Sequence, residues 1–399
     1  MSLLLLSNEL LIIILAELEV NDVISVLETH PDLYQISFQC LRNRTLDLKP
    51  YCESGDISRV RLLLQAGANA DSFAFHFGSP LYNAAENGHE EVVKLLLEHG
   101  AQANHDIHYK LLPLQAAARK GYFAIVKLLI DHGADVNSMD SLNPTALDET
   151  IRYKGQYSYS KEGPWKRRGL CLHRNPQTPF SYYHTIKLLL EFGADVHIDQ
   201  ALRTAVLAYP HLQQDTVHLL LNYGANPNAR AHRGVPLLHL INPTKPTYDC
   251  RSAETAIILL NHGADVNARD EDEQTPLHIA AYGDTQGETL AAVYLAHHAN
   301  VIAADIYGIT PLHLAVAKEG SRANIRVIEL LLKSGADVNA RSTKGKTPRY
   351  YAVEKHAPNE VVELLLEYGA DWNISSQKDD SDTPLKKFAD RVGDITTLY

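Results

Sequence analysis

The sequence predicts an all-α protein built as a row of stacked helix pairs, preceded by a separate three-helix segment. Three observations predict it. A string of an apolar residue, Leu-Leu, two variable residues and Gly-Ala recurs along the chain. A second string, Thr-Pro-Leu-His or a variant, stands roughly 22 residues ahead of the glycines, and residues 1–48 carry neither string. Self-similarity at such a period marks units that bury their apolar faces against one another.

The first 48 residues read as three helices. Leu6-Ser7-Asn8-Glu9-Leu10 starts a helix at Ser7 or Asn8, and Leu11, Ile14, Leu15 and Leu18 follow at helical spacing. Asn21 or Asp22 caps a second helix with Val23, Val26 and Leu27; after His30-Pro31, a third carries Leu33, Ile36 and Leu41. Met1–Ala16 has no basic start and no small-residue cleavage site, and Glu9 interrupts it, so it reads as a soluble helix, not a signal peptide or membrane span. Seven acids against Arg42 and Arg44 make the segment acidic.

Residues 49–399 hold about nine repeats. Their glycines are Gly67, Gly100, Gly133, Gly193, Gly224, Gly263, Gly335 and Gly369, with a degenerate copy at Tyr294–Ala299 where His298 stands in place of Gly. Thr-Pro-Leu-His is complete at Thr275–His278 and Thr310–His313. Weaker forms are Ser79–Tyr82, Leu112–Gln115, Val235–Leu238, Thr347–Tyr350 and Thr383–Lys386. Thr or Ser caps a first helix whose Pro lacks only an N–H that has no helical partner. Ala84-Ala85, Ala117-Ala118 and Ala280-Ala281 allow close helix contact, and Val92, Val93, Leu95, Leu96 and Leu97 give a second helix its apolar face. The first unit, Pro50–Asn69, keeps mainly its second helix, and Lys378–Tyr399 reads as a terminal half-repeat. His298 in place of Gly costs on the order of 1 kcal/mol if that residue is held in a left-handed conformation and predicts a softer joint near 282–300; Glu273 stands where Gly is expected before Thr275.

An insertion at 152–183 separates two repeats. Seven bases (Arg152, Lys154, Lys161, Lys166, Arg167, Arg168, Arg174) face one acid, Glu162, among seven aromatics that include Trp165. Glycines and prolines make it read as a loop. Three readings stay open: a plain surface loop, a grip on an acidic protein segment around Trp165, Arg167 and Arg168, and single-stranded nucleic-acid binding.

No catalytic, cofactor or metal site is predicted. The four cysteines are scattered, without Cys-x-x-Cys pairs, which points to a reducing intracellular compartment, cytoplasmic or nuclear. The 20 histidines mostly belong to the repeat or flank its turn glycines, and no nucleophile, phosphate-loop or zinc-protease string occurs. A net charge of −11 argues against general nucleic-acid binding.

Gly-x-Thr-Pro-Leu-His-x-Ala, then Gly-His-x-x-Val-Val-x-Leu-Leu-Leu-x-x-Gly-Ala-Asp-Val-Asn, resembles the ankyrin-repeat family over about residues 50–399. The resemblance implies a solenoid of antiparallel helix pairs with projecting hairpin loops, binding a protein partner. It also implies that the His of Thr-Pro-Leu-His bonds the Thr hydroxyl and nearby backbone, tying one hairpin to the next. The expected contacts are the tips: Arg230, His232, Arg233, Glu271, Asp272, Glu273, Tyr307, Lys344 and Lys346. Residues 1–48 resemble the F-box that precedes ankyrin arrays in many fungal proteins, with Ser7 where that motif has Pro. That resemblance implies docking of a Skp-family adaptor of a cullin ubiquitin ligase, with Leu6, Leu10, Ile14 and Leu18 divided between the contact and the segment's own core. The alternative is a cap shielding the first repeat of a scaffold with no ligase link.

Overall fold

The computed structural model describes residues 8–30, 33–72, 78–104, 111–139, 144–158, 179–197, 201–207, 213–231, 234–241, 252–283, 285–317 and 324–371. The chain divides into two compact units, residues 1–201 and 202–399. The division falls within the repeats, so the N-terminal helices share a unit with the first helix pairs.

Unit 1 opens with α1 (Asn8–Glu17), α2 (Val20–Thr29) and α3 (Tyr34–Arg42). α3 packs on both α1 and α2, and Leu11, Leu15, Val23, Ile24, Leu27, Leu33 and Leu41 are buried. The Arg44 guanidinium donates to the carbonyls of Leu15 (2.7 Å), Ala16 (2.6 Å) and Leu18 (2.5 Å), placing a cation on the C-terminal carbonyls of α1. The second helix starts earlier than expected. Glu19 occupies its cap position, Asp22 lies in its first turn, and the Asn21 side chain accepts a bond from the Tyr51 hydroxyl instead of capping.

The helix pairs of unit 1 are α4 (Lys49–Ser54) with α5 (Ile57–Gln65), α6 (Pro80–Asn87) with α7 (Glu90–Glu98), α8 (Pro113–Lys120) with α9 (Phe123–Asp131), and α10 (Ala146–Ser158) with α11 (Pro179–Glu191). First helices pack in the order α4, α6, α8, α10, and second helices in the order α5, α7, α9, α11. Each Leu-Leu segment therefore meets the neighbouring copy. In α7, for example, Val92, Val93, Leu95, Leu96 and Leu97 are all buried, each contributing about 1.5–3 kcal/mol by leaving water.

Two expectations change here. The first repeat has both helices: α4 is a six-residue turn of helix with Pro50 near its start, hidden from sequence reading because Leu48, not Thr or Ser, stands at its cap. The insertion is helical at both ends, since α10 runs to Ser158 and α11 begins at Pro179. Its remaining residues, with Trp165, Arg167 and Arg168, lie outside the described ones. Arg152 pairs with the buried Asp148 at 2.6 Å, and Tyr182 is buried, so neither belongs to an open loop. The Tyr182 ring lies over Gly121, where an added Cβ would meet it at 3.0 Å; Tyr122 covers Gly88 and His89 covers Gly55 in the same way.

Unit 2 begins inside α12 (Ala201–Leu207) and continues with α13 (Gln213–Asn222), α14 (Leu237–Leu240), α15 (Ser252–Asn261), α16 (Pro276–Tyr282), α17 (Thr285–Ala296), α18 (Pro311–Val316), α19 (Ile325–Lys333), α20 (Pro348–Glu354) and α21 (Asn359–Glu367). Its first helices pack as α14, α16, α18, α20 and its second helices as α13, α15, α17, α19, α21. The terminal half-repeat at Lys378–Tyr399 lies outside the described residues.

Asparagines stitch successive repeats together. Asn104 donates to the Gly133 carbonyl (2.8 Å) and accepts from Asp135 N–H (2.8 Å). Asn137 does the same with Gly193 and Asp195, Asn228 with Gly263 and Asp265, and Asn339 with Gly369 and Asp371. At the degenerate joint Asn267 accepts from Asn300 N–H (2.7 Å), its one rung of the ladder among the described residues, and His298 sits at φ 64° as its glycine-like position requires.

Candidate protein-binding surfaces

In unit 2 the first helices α16, α18 and α20 are each preceded by a five-residue turn whose closing bond runs from its first N–H to its last carbonyl. The closures are Asp270 to Gln274 (3.1 Å), Asp305 to Ile309 (2.9 Å) and Ser342 to Lys346 (3.0 Å). The side chain at the first position stiffens the turn. Asp270 accepts from the N–H groups of Asp272 and Gln274, Asp305 from those of Tyr307 and Ile309, and the Ser342 hydroxyl from Lys346 N–H. The fourth position has positive φ: Glu273 59°, Gly308 71°, Gly345 72°. At Gly308 space decides as well, because a Cβ there would lie 2.8 Å from Thr343 N.

Buried side chains hold each turn against the next. His278 takes the Thr275 N–H and hydroxyl on Nδ1 and donates from Nε2 to the Ile309 carbonyl (3.0 Å). His313 repeats this with Thr310 and the Lys346 carbonyl (3.1 Å). His239 donates to the Gln274 carbonyl (2.8 Å). It is therefore His239 that fills this slot, and the Val235–Leu238 alignment is one residue early, because α14 starts after Pro236. Burial pushes all three imidazoles below their usual range, His313 to about 4, so they are held neutral. In unit 1 Gln115 does the same work with an amide: it accepts from Leu112 N–H (2.7 Å) and donates to the Pro144 carbonyl (3.0 Å).

The turns also touch at their tips. Ile306 N–H donates to the Asp272 carbonyl (3.1 Å), and Thr343 N–H to the Tyr307 carbonyl (2.8 Å). Three tips thus form one ledge, with the second and third turn residues in register: Glu271-Asp272, Ile306-Tyr307 and Thr343-Lys344.

Several expected contact residues are occupied inside this framework. Arg230 donates to the carbonyls of Gly234 (2.6 Å) and Arg269 (2.9 Å). Glu273 pairs with Arg269 (2.9 Å), which also reaches the Ala304 carbonyl. Lys346 is half-buried, 2.7 Å from Glu354 and 4.4 Å from the Tyr350 ring centroid. Their long side chains fold back because carbonyls and a carboxylate lie within reach. Glu271, Asp272, Tyr307 and Lys344 remain exposed, and Tyr307 at 57% is joined by Ile306 at 47%, which sequence reasoning missed. His232 and Arg233 lie outside the described residues.

The second surface lies on α1. Leu10 (50%), Ile12 (43%), Ile13 (60%) and Ile14 (39%) are exposed, while Leu11 and Leu15 supply the core. Of the four residues expected to dock, Leu10 and Ile14 face water, Leu18 is half-buried, and Leu6 lies outside the described residues. Ile12 and Ile13 were not expected there. Nearby on α3, Tyr34 stacks on Phe38 with centroids 5.6 Å apart, under the Arg42 guanidinium.

Among the described residues no group of His, Cys, Asp and Glu could hold a metal ion, and no helix is long and apolar enough to cross a membrane. No protein of curated function matches the chain. The crystal structure of the human ASB11 ankyrin repeat domain is similar at 19% identity and a TM-score of 0.46, covering 63% of this chain and 97% of that one. The sequence matches the family described as ankyrin repeats in three stretches, residues 51–140, 248–342 and 294–376, which together span more than half of it. With the helix pairs and turn latches above, this places the chain in the ankyrin-repeat family of protein-binding modules.

Proposed function

We propose that this chain recognises a protein target for a cullin-type ubiquitin ligase: its ankyrin surface holds the target and its N-terminal helices dock a Skp-family adaptor. It works without cofactor and without bond chemistry of its own, inside the cell, in cytoplasm or nucleus. One observation carries the adaptor half of this reading. α1 turns Leu10, Ile12, Ile13 and Ile14 to water on a ten-residue helix whose charges are Glu9 and Glu17 alone. A contiguous apolar surface of this kind marks an interface, and burying what remains exposed of these four side chains contributes on the order of 3–6 kcal/mol before ordering costs.

A second reading rests on a different observation. The Tyr51 hydroxyl donates to Asn21, and Arg59 pairs with Glu28 at 3.3 Å, so α2 is clasped to the first helix pair. This favours a cap on a scaffold with no ligase link. Capture of a purified Skp-family adaptor by the full-length chain separates the two. The ligase reading expects capture that Leu10→Asp with Ile13→Asp abolishes, while far-UV circular dichroism is unchanged. Absence of capture, or capture indifferent to the double variant, leaves only the cap.

A further inference from the structure

We propose that the ledge of three turn tips takes one extended peptide segment of the target, with a basic side chain at one end, an apolar one at its centre and an acidic one at the other. This rests on the reading of the ankyrin surface as the target-holding face and specifies what it holds. The order follows from the tips themselves. Glu271 and Asp272 form the acidic end and have no ion pair among the described residues, since the neighbouring Asp270 and Glu273 are spent on the turn and on Arg269. Ile306 and Tyr307 form the apolar centre, and Lys344 is exposed at the far end. The backbone bonds Ile306 to Asp272 and Thr343 to Tyr307 fix the three tips in this sequence, so the polarity is built into rigid turns.

Spacing follows from the repeat. Adjacent helices lie about 10 Å apart, so the outer tips are about 20 Å apart. An extended chain rises about 3.3 Å per residue, which puts the ligand's two charges about six residues apart with the apolar residue midway. The apolar centre supplies most of the affinity, because exposed ion pairs are weak; the two ends choose direction and reject segments of the opposite order. Nucleic acid fits poorly, since one end of the ledge is a pair of uncompensated carboxylates.

The test uses the full-length chain on an array of Gly/Ser-spaced peptides carrying one arginine, one leucine and one glutamate. The arginine–glutamate separation is varied, and a single-stranded RNA oligonucleotide serves as competitor. Retention is expected to peak near a separation of about six residues, to fall about tenfold when the leucine is replaced by serine or in Tyr307→Ala, and to be unaffected by RNA. In Glu271→Lys with Asp272→Lys, peptides with glutamate in place of the arginine become the preferred ones. No retention, retention independent of spacing, retention unchanged in Tyr307→Ala, or displacement by RNA overturns the proposal. Leu10→Asp with Ile13→Asp leaves peptide retention intact, so failure of adaptor capture and failure of the ledge are told apart.

Discussion

In residues 1–201 the joints between repeats are closed by the Gln115 amide and by rings lying over Gly55, Gly88 and Gly121. In residues 202–399 they are closed by three buried imidazoles, His239, His278 and His313. Every one of these amide and imidazole donors reaches the carbonyl just before the next helix start. What the repeat requires is a donor of the right length at that point, not a histidine. The difference is that the latches of the second unit are buried imidazoles, whereas His89, the imidazole among the joints of the first, is only half-buried. The lesson extends to function: side chains that hold neighbours together are interchangeable in kind, while those facing water on the tips, Glu271-Asp272, Ile306-Tyr307 and Thr343-Lys344, differ from copy to copy.

Substitutions can break or sharpen this contrast. The largest effect is expected for His313→Ala, which empties a buried site and strips the Lys346 carbonyl of its donor; loss of about 3 kcal/mol in urea unfolding is the outcome expected. His278→Gln borrows the solution of unit 1 and should cost only about 1 kcal/mol; a loss equal to that of alanine would show that an amide cannot replace the imidazole. Gly121→Ala strains a φ of 75° and crowds Tyr182, for about 2 kcal/mol by thermal unfolding. Its counterpart in unit 2 is a gain. His298→Gly relieves a positive φ of 64° and should stabilise by up to about 1 kcal/mol, with higher amide protection across 285–300. Unchanged protection there would show that the degenerate joint is no softer than its neighbours.

Much of this was legible in the sequence, for physical reasons that vary by element. The Thr-Pro start, the Leu-Leu face and the terminal glycine each answer a local backbone need, so they announce their helices; His298 and Glu273, which stand where Gly is expected, both have positive φ. The latch at His278 and His313 was expected only through the resemblance to the ankyrin family, which the intact Thr-Pro-Leu-His strings carry. Gln115 was not, because an amide gives no motif, and His239 was masked by Pro236, which drew the alignment one residue early. The exposed face of α1 was hidden for the opposite reason: Leu10–Leu15 is apolar at every position, so no periodicity tells Leu11 and Leu15 from Ile12, Ile13 and Ile14. The asparagine ladder and the folding back of Arg230 and Lys346 depend on neighbours about thirty or more residues away or on side-chain conformation, which spacing does not encode.

The imidazole latches have one consequence that the amide and ring joints do not share. Their folded pKa lies below the value near 6.5 of a free imidazole, so the unfolded chain binds more protons as pH falls, and stability drops from pH 6.5 down to the folded pKa, about 4 for His313. The His313 latch then loses about 1.4 kcal/mol per pH unit within that window, and the His239 and His278 latches weaken in the same direction. Hydrogen exchange, corrected for intrinsic rates and compared at about pH 7 and about pH 5, reads this joint by joint. Amides of α16, α18 and α20 should lose protection at the lower pH while those of α6 and α8 keep theirs. Equal loss in both units, or none in either, would contradict neutral imidazoles as the joints of the second.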